Sequence, residues 1–284
     1  MKFGVDIPNF GQWADPRAVA SFASDLEDAG WDGLAIWDHI LVADGLDVGD
    51  PWIALAAAAS VTERLTLMTM VTPLPRRAPW KLAREVVSLD QLSNGRFILG
   101  VGIGWPNDPE FTRFDGPLDL RERADMLDEG LDILEGLWSG EPFSYDGTHY
   151  KLAESTFRPT PVQEPRVPIW VGGMWPNRRP FRRAARYEGA FPIFLDADGE
   201  PGPATPETVR AVCDYVAEFA GEHRERGEMV TTGMAYSVRD GLAFDLAALA
   251  DAGATWWLEQ FIPGVGDYDE WMARVLAGPP NAAT

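Results

Sequence analysis

Few residues in this chain are placed to do chemistry. Asp38-His39 follows a short apolar run and is the acid and histidine pair that falls at a predicted strand end. A histidine there titrates near neutral pH and passes a proton or holds a developing negative charge, with a neighbouring carboxylate or carbonyl setting its tautomer. The competing reading is a histidine that only caps its loop. His149 and His223 sit among polar and charged residues and read as surface groups. Histidines spread this way do not make a hydrolytic zinc site, so no metal is expected and a metal-dependent hydrolase has little support.

Two glycine-rich stretches are the other candidates. In Leu99-Gly100-Val101-Gly102-Ile103-Gly104-Trp105 the glycines alternate along a strand and do not span a strand-to-helix turn, so the run is a poor dinucleotide fingerprint. Alternate glycines leave one face without side chains, which opens room for a planar ring at Gly102, Gly104 and Trp105; close strand packing is the competing reading. Gly172-Gly173-Met174, followed by Arg178-Arg179, is the better phosphate candidate, because free glycine N–H groups and a helix start favour an anion. Most of the arginines at 178, 179, 182, 183 and 186 read as a solvated helix face.

Positioning these residues requires regular elements. Strand-like apolar runs are predicted at 3–6, 33–37, 65–71, 97–102, 169–172, 190–194, 230–234 and 255–259. Most are continuously apolar, as in strands covered on both faces. Helices are predicted at 16–29, 51–62, 79–92, 119–138, 178–187, 205–219, 244–252 and 268–276, several opened by Asp-Pro or Pro and closed by Gly. Eight βα units over this length predict an α/β fold, a (β/α)₈ TIM barrel, as a single domain over 1–284. Two segments break the rhythm. Residues 140–168 read as an insertion between the fourth helix and fifth strand that crosses the barrel end, and 196–206 as a polar loop that is mobile or acts as a lid.

In such a barrel the site lies at the C-terminal ends of the strands. Trp37, Trp105 and Trp175 all fall there, whereas Trp52, Trp80 and Trp138 fall on helices and read as structural. Each tryptophan taken alone could equally be core. Together with Met and Val they suit a flat, largely apolar ligand.

The 284 residues carry 44 Asp+Glu against 24 Lys+Arg, a formal charge of −20. That field repels phosphate backbones and anionic lipid, so neither nucleic acid nor a membrane surface is expected as a partner. One cysteine, Cys213, excludes an internal disulfide. No apolar run of ~18 residues and no leader-like start is present, so the chain reads as cytoplasmic.

Residues 73–85 (PLPRRAPWKLARE), 89–105 (LDQLSNGRFILGVGIGW) and 168–173 (PIWVGG), with Trp37-Asp38-His39, strongly resemble the bacterial luciferase-like monooxygenase superfamily. The likeness spans roughly residues 1–195; beyond it only the βα rhythm matches. The resemblance implies a TIM barrel binding reduced FMN or the deazaflavin coenzyme F420. The ring would lie against a bulge at the end of strand three, often with a non-prolyl cis peptide, which maps to Thr69, Met70 and Val71. His39 would stand near ring and substrate, and the cofactor phosphate near Gly172 and Gly173. It further implies either oxygenation by reduced flavin and oxygen or hydride transfer by deazaflavin, on a small, partly apolar organic substrate, in a homodimer. Asp38-His39 looks more like the deazaflavin group. Trp105, however, stands where its sugar-phosphate dehydrogenases carry a glutamate. A cofactor-binding protein of the same fold without turnover is the alternative.

Overall fold

The computed structural model describes residues 1–106, 108–114, 116–221, 230–235, 245–263 and 267–280. The strands are β1 (Lys2–Ile7), β2 (Gly33–Ile36), β3 (Thr66–Thr69), β4 (Thr72–Pro73), β5 (Phe97–Gly102), β6 (Phe143–Asp146), β7 (Lys151–Ser155), β8 (Ile169–Trp175), β9 (Gly189–Phe194), β10 (Val230–Ala235) and β11 (Ala254–Gln260). The helices are α1 (Pro16–Ala29), α2 (Pro51–Ala59), α3 (Pro79–Leu92), α4 (Pro109–Thr112), α5 (Leu120–Trp138), α6 (Arg178–Ala184), α7 (Pro206–Ala220), α8 (Leu246–Asp251) and α9 (Tyr268–Leu276). The predicted strand at 230–234 is present as β10. Of the predicted helix at 244–252, Phe244 lies outside the described residues, and His223 does too.

The α/β architecture is a curled parallel sheet under a layer of helices. Its strand order is β3-β2-β1-β11-β10-β9-β8-β5-β4, and β3 pairs again with β5. The alternation of side chains along these strands sorts the apolar residues into two groups. Phe3, Val5, Ile7, Leu34, Ile36, Leu67, Leu99 and Val171 face the helices and join their apolar stripes. Ala35, Met68, Met70, Trp170, Phe191, Trp256 and Leu258 face one another inside the curl. Burial on both faces explains why the strand segments read as unbroken apolar runs.

Part of the acidic excess is spent on helix ends. Asp15, Asp50, Asp119 and Asp267 each accept a backbone N–H in the first turn of α1, α2, α5 and α9, satisfying donors that the helix itself leaves unpaired. Gly30 ends α1 at φ 90°, a left-handed conformation that glycine adopts without steric cost.

The irregular segments differ from expectation. Residues 140–168 contain the antiparallel β6–β7 hairpin, whose turn is held by Glu129 of α5 through the N–H groups of Thr148, His149 and Tyr150. The segment then passes the N-terminal end of β5, where Gln163 Nε2 donates to the Phe97 carbonyl at 2.8 Å. That is the end opposite the strand C-termini. The 196–206 loop is folded on itself: Asp196 Oδ1 accepts from the N–H groups of Asp198 and Glu200, and Leu195 bridges to Pro201.

Candidate functional site

At the C-terminal ends of the strands the chain encloses a cavity of about 700 Å³. Its floor is the end of β3, where the Met70–Val71 peptide bond is cis. Val71 projects between β5 and β8 because glycines face it there. A Cβ on Gly102 would stand 2.7 Å from Val71 Cγ2, and one on Gly172 would stand 2.9 Å from Val71 Cγ1. A Cβ on Gly100 would run into the Thr69 carbonyl. The alternating glycines therefore make room first for the protein's own bulge, the close packing that was the competing reading of this run. Gly102, Gly104 and Gly172 still line the cavity, as do Met70, Val71 and Trp105. Thr69 does not; it is fully buried, its Oγ1 donating to the Gly100 carbonyl at 3.1 Å and accepting from the Gly100 N–H.

One wall follows β2. Trp37, Asp38 and His39 all reach the cavity, and the loop after β1 clamps their backbone. Asn9 Nδ2 donates to the His39 and Gly49 carbonyls, and Asn9 Oδ1 accepts the His39 N–H. Asp38 is an anchor. Its buried carboxylate accepts from Arg76, Arg77, Thr72 Oγ1 and Trp52 Nε1, at 2.6, 2.9, 2.8 and 3.2 Å. Burial alone would raise its pKa, but the Arg77 and Arg76 charges and the Arg77 and Thr72 hydrogen bonds together hold it below the usual carboxylate range.

The carboxylate that meets His39 belongs to Glu110, not to its neighbour in sequence. Glu110 Oε1 lies 3.1 Å from His39 Nδ1 and accepts the N–H groups of Ile40 and Leu41, while Oε2 pairs with Arg76. Glu110 sits on α4, which Asp108 caps through the Glu110 N–H and Pro109 opens. The helices predicted from the sequence include none between residues 102 and 119, where α4 lies. Asp108-Pro109 is the same helix-start pair as Asp15-Pro16, the signal that would have exposed Glu110. His39 is depressed below its ordinary value by burial, opposed by the Asp108 charge. Asp108 is raised, by burial. The oxygens of Asp108 and Glu110 and a His39 nitrogen lie within 4.8 Å of one another. The Arg76 guanidinium already on Glu110 gives that cluster its own cation.

Beneath the cavity a third polar group went unsuspected in the sequence. Asp6 Oδ2 accepts from Trp37 Nε1 at 3.0 Å and Gln260 Nε2 at 2.7 Å, inside the curl of the sheet. Burial pushes its pKa up to about 7, against the two hydrogen bonds. Gln260 lines the cavity, and its Oε1 is buried without a hydrogen-bond partner among the described residues.

The opposite wall follows β8. Gly172, Gly173 and Met174 line it, with Arg179 and Arg183 behind them. The arginine face is solvated as predicted at Arg178, Arg179, Arg182 and Arg186, whereas Arg183 is buried, and several of these side chains form ion pairs with α5. Arg183 and Arg179 pair with Asp128, Arg179 also with Asp125 and Arg186 with Asp132. Arg178 stacks on Trp175 at 3.9 Å. Trp175 itself turns away from the cavity, packing on Phe181 and Tyr215, because Met174 takes the inward position of the alternation. Of the helical tryptophans, Trp52 and Trp138 are buried and Trp80 is partly exposed. The insertion at 140–168 contributes nothing to the cavity lining, and the 196–206 loop only Pro201.

Comparison with known proteins places this architecture. A sequence stretch of 123 residues is 40% identical to an uncharacterised protein of Mycobacterium bovis, covering 43% of this chain and 42% of that one. A longer stretch of 230 residues is 30% identical to the 4-hydroxyprotoasukamycin monooxygenase of Streptomyces nodosus subsp. asukaensis, covering 72% and 60%. The F420-dependent glucose-6-phosphate dehydrogenase of Microbacterium testaceum is 32% identical over 57% of this chain and 48% of its own length. The chain spans about half the length of these curated relatives. Among solved structures, an F420-dependent secondary alcohol dehydrogenase superposes with a TM-score of 0.74 at 18% identity, covering 97% of this chain and 96% of that one. The FMN complex of the oxygenating component of 3,6-diketocamphane monooxygenase from Pseudomonas putida gives 0.64 at 22%, covering 82% and 67%. At these identities the likeness is one of fold. The family model for luciferase-like monooxygenases matches residues 1–241, beyond the 195 or so that the motifs cover. The chain belongs to the luciferase-like monooxygenase family.

Proposed function

We propose that the chain is an oxidoreductase that takes coenzyme F420 or reduced FMN into this cavity and acts on a small, partly apolar organic substrate. The observation that carries it is the cavity itself, an apolar space of about 700 Å³ with a glycine-lined wall on one side of the Met70–Val71 bulge and His39 on the other. The residues present fit a planar ring carrying polar edges: the walls are glycine, Met and Val, and the buried acceptor Gln260 Oε1 has no donor among the described residues.

In this reading Met70, Val71, Gly102, Gly104 and Trp105 hold the ring, with Thr69 fixing the bulge from behind. Gly172, Gly173 and Met174 border its phosphate-bearing tail. When bound, the cofactor supplies the redox chemistry, hydride transfer for F420 or oxygenation for reduced FMN. The protein excludes water, orients the reactants and handles one proton at His39, which serves as proton donor or as partner to a developing oxyanion. Asp38 acts at one remove, as the ionised post that binds Arg76 and Arg77 against the β2 loop. The fold is read as a single (β/α)₈ barrel, since the order of the long parallel strands returns on itself through β3 and β5, with the 140–168 insertion before β8. A homodimer in the cytoplasm, without nucleic-acid or membrane partners, completes the reading.

The test is a parallel titration of the purified protein with FMN, with reduced FMN under anaerobic conditions, and with F420, followed by fluorescence. Binding of F420 alone assigns hydride transfer. Preference for reduced FMN assigns oxygenation, and failure of all three overturns the proposal.

A further inference from the structure

His39 meets the protein through one ring nitrogen. Nδ1 lies 3.1 Å from Glu110 Oε1, and among the described residues no hydrogen bond reaches Nε2. Glu110 is 1% exposed, and its carboxylate also receives the backbone N–H groups of Ile40 and Leu41 and faces the Arg76 guanidinium. Every other group on this carboxylate is a donor, so it acts as an acceptor throughout. The hydrogen shared with the imidazole therefore sits on Nδ1.

We propose that Glu110 is the positioning residue for His39, holding the neutral imidazole as the Nδ1–H tautomer so that Nε2 faces the cavity as a proton acceptor. A ligand O–H that breaks there passes its proton to Nε2, giving an imidazolium; the reverse step returns the proton and restores the neutral ring. The charged groups that face the ring are Asp108 and Glu110 from the β5 side, Arg76 from the turn after β4, and Asp38 from its own loop. Asp108 and Asp38 favour the imidazolium, while burial and Arg76 keep the resting ring neutral. Glu110 also ties α4 to the β2 loop, so the ring and the wall carrying Trp105 keep one geometry. The proton-handling half rests on the function proposed above, His39 being the donor and oxyanion partner as the imidazolium and the acceptor as the neutral ring; the tautomer does not rest on it.

The experiment is ¹⁵N NMR of the full chain labelled at histidine, without cofactor, at pH 8. Only three histidines contribute, and His39→Asn assigns the relevant pair of resonances. The expected result is a protonated-type Nδ1 and an unprotonated-type Nε2 at His39. An Nε2–H tautomer, or the averaged pattern of a free imidazole, overturns the proposal, and this measurement needs no variant at Glu110. In Glu110→Ala the Nδ1–H loses its acceptor, so the His39 resonances move to the averaged pattern of a free imidazole. With cofactor and substrate, kcat then falls at least tenfold while KM stays within threefold; an unchanged tautomer or unchanged kcat contradicts the role. Wild-type protein that shows the Nδ1–H pattern but no turnover supports the positioning and counts against the proposed activity alone.

Discussion

Gln260 Nε2 donates to Asp6 Oδ2 at 2.7 Å, joining residues 254 positions apart on adjacent strands inside the curled sheet. The bond fixes the Gln260 amide so that its oxygen, like Asp6 Oδ1, has no hydrogen-bond partner among the described residues. It also places a fully buried carboxyl where no cation offsets it, and burial pushes that group from 3.8 up to about 7.

A pH dependence of stability follows. The unfolded chain releases the Asp6 proton near pH 4, whereas the folded protein keeps it until about pH 7. Proton binding to the folded state thus stabilises it at low pH, and this contribution falls as pH rises from about 4 to about 7, by an amount on the order of 4 kcal/mol. Asp6→Asn should remove that slope and leave the variant more stable than wild type at pH 8. Urea unfolding at pH 5, 6, 7 and 8 measures both.

Asp38 carries the opposite sign. Its pKa lies below 3.8, so its ion pairs stabilise the fold at all pH values above that and are lost only as pH falls through the lowered pKa. Asp38→Asn leaves Arg76 and Arg77 without their shared carboxylate in a nearly buried position and should cost ~3–5 kcal/mol at pH 7. Thermal unfolding of the variant at pH 7 and pH 3 checks it, with the difference from wild type shrinking at pH 3.

The Gly102–Val71 contact gives a test of the bulge that involves no ligand. Ala at 102 would bring its Cβ to 2.7 Å from Val71 Cγ2, a β-branched side chain with little freedom to turn. Gly102→Ala should therefore cost ~1–3 kcal/mol by overpacking. In a Val71→Ala background the next atom is 3.8 Å away, and the same substitution should cost little. The double-mutant cycle in urea reads the coupling directly.

His39→Ala should keep cofactor affinity within a few-fold and lower turnover by ~10²-fold or more, the range of general acid–base catalysis. Because burial depresses the ring below its ordinary value of 6.5, the acidic limb of the wild-type rate profile should lie below pH 6.5 and vanish in the variant. Steady-state rates between pH 5 and 9 decide this.

How much of this was legible in the sequence depends on the range of the interaction involved. The eight βα units were, because each is specified by local signals: apolar runs for strands buried on both faces, and Asp-Pro starts and glycine stops such as Asp15-Pro16 and Gly30 for helices; the short β4 and α4 and the β6–β7 hairpin were not. The cavity rim at Trp37, Asp38, His39, Met70 and Gly102 followed once the strand ends were known. Orientation within the rim did not follow. Met174 faces the cavity and Trp175 the helix layer, a difference of one residue in the alternation that composition cannot reveal.

The partners of the charged groups were decided by tertiary structure alone. Asp38 looked like the companion of His39 because they are adjacent in the chain, yet its oxygens are taken by Arg76 and Arg77, and the imidazole is held by Glu110, 71 positions away. Adjacent side chains past a strand end diverge, whereas loops from neighbouring strands converge over the same cavity. The sequence alone determined the eight βα units and the strand ends that border the site; only folding brought α4 to His39 and chose which carboxylate stays charged, which is forced toward its neutral form, and which one orients the histidine. Those outcomes depend on burial and on distances between atoms remote in the chain, quantities that exist only once the sheet has curled.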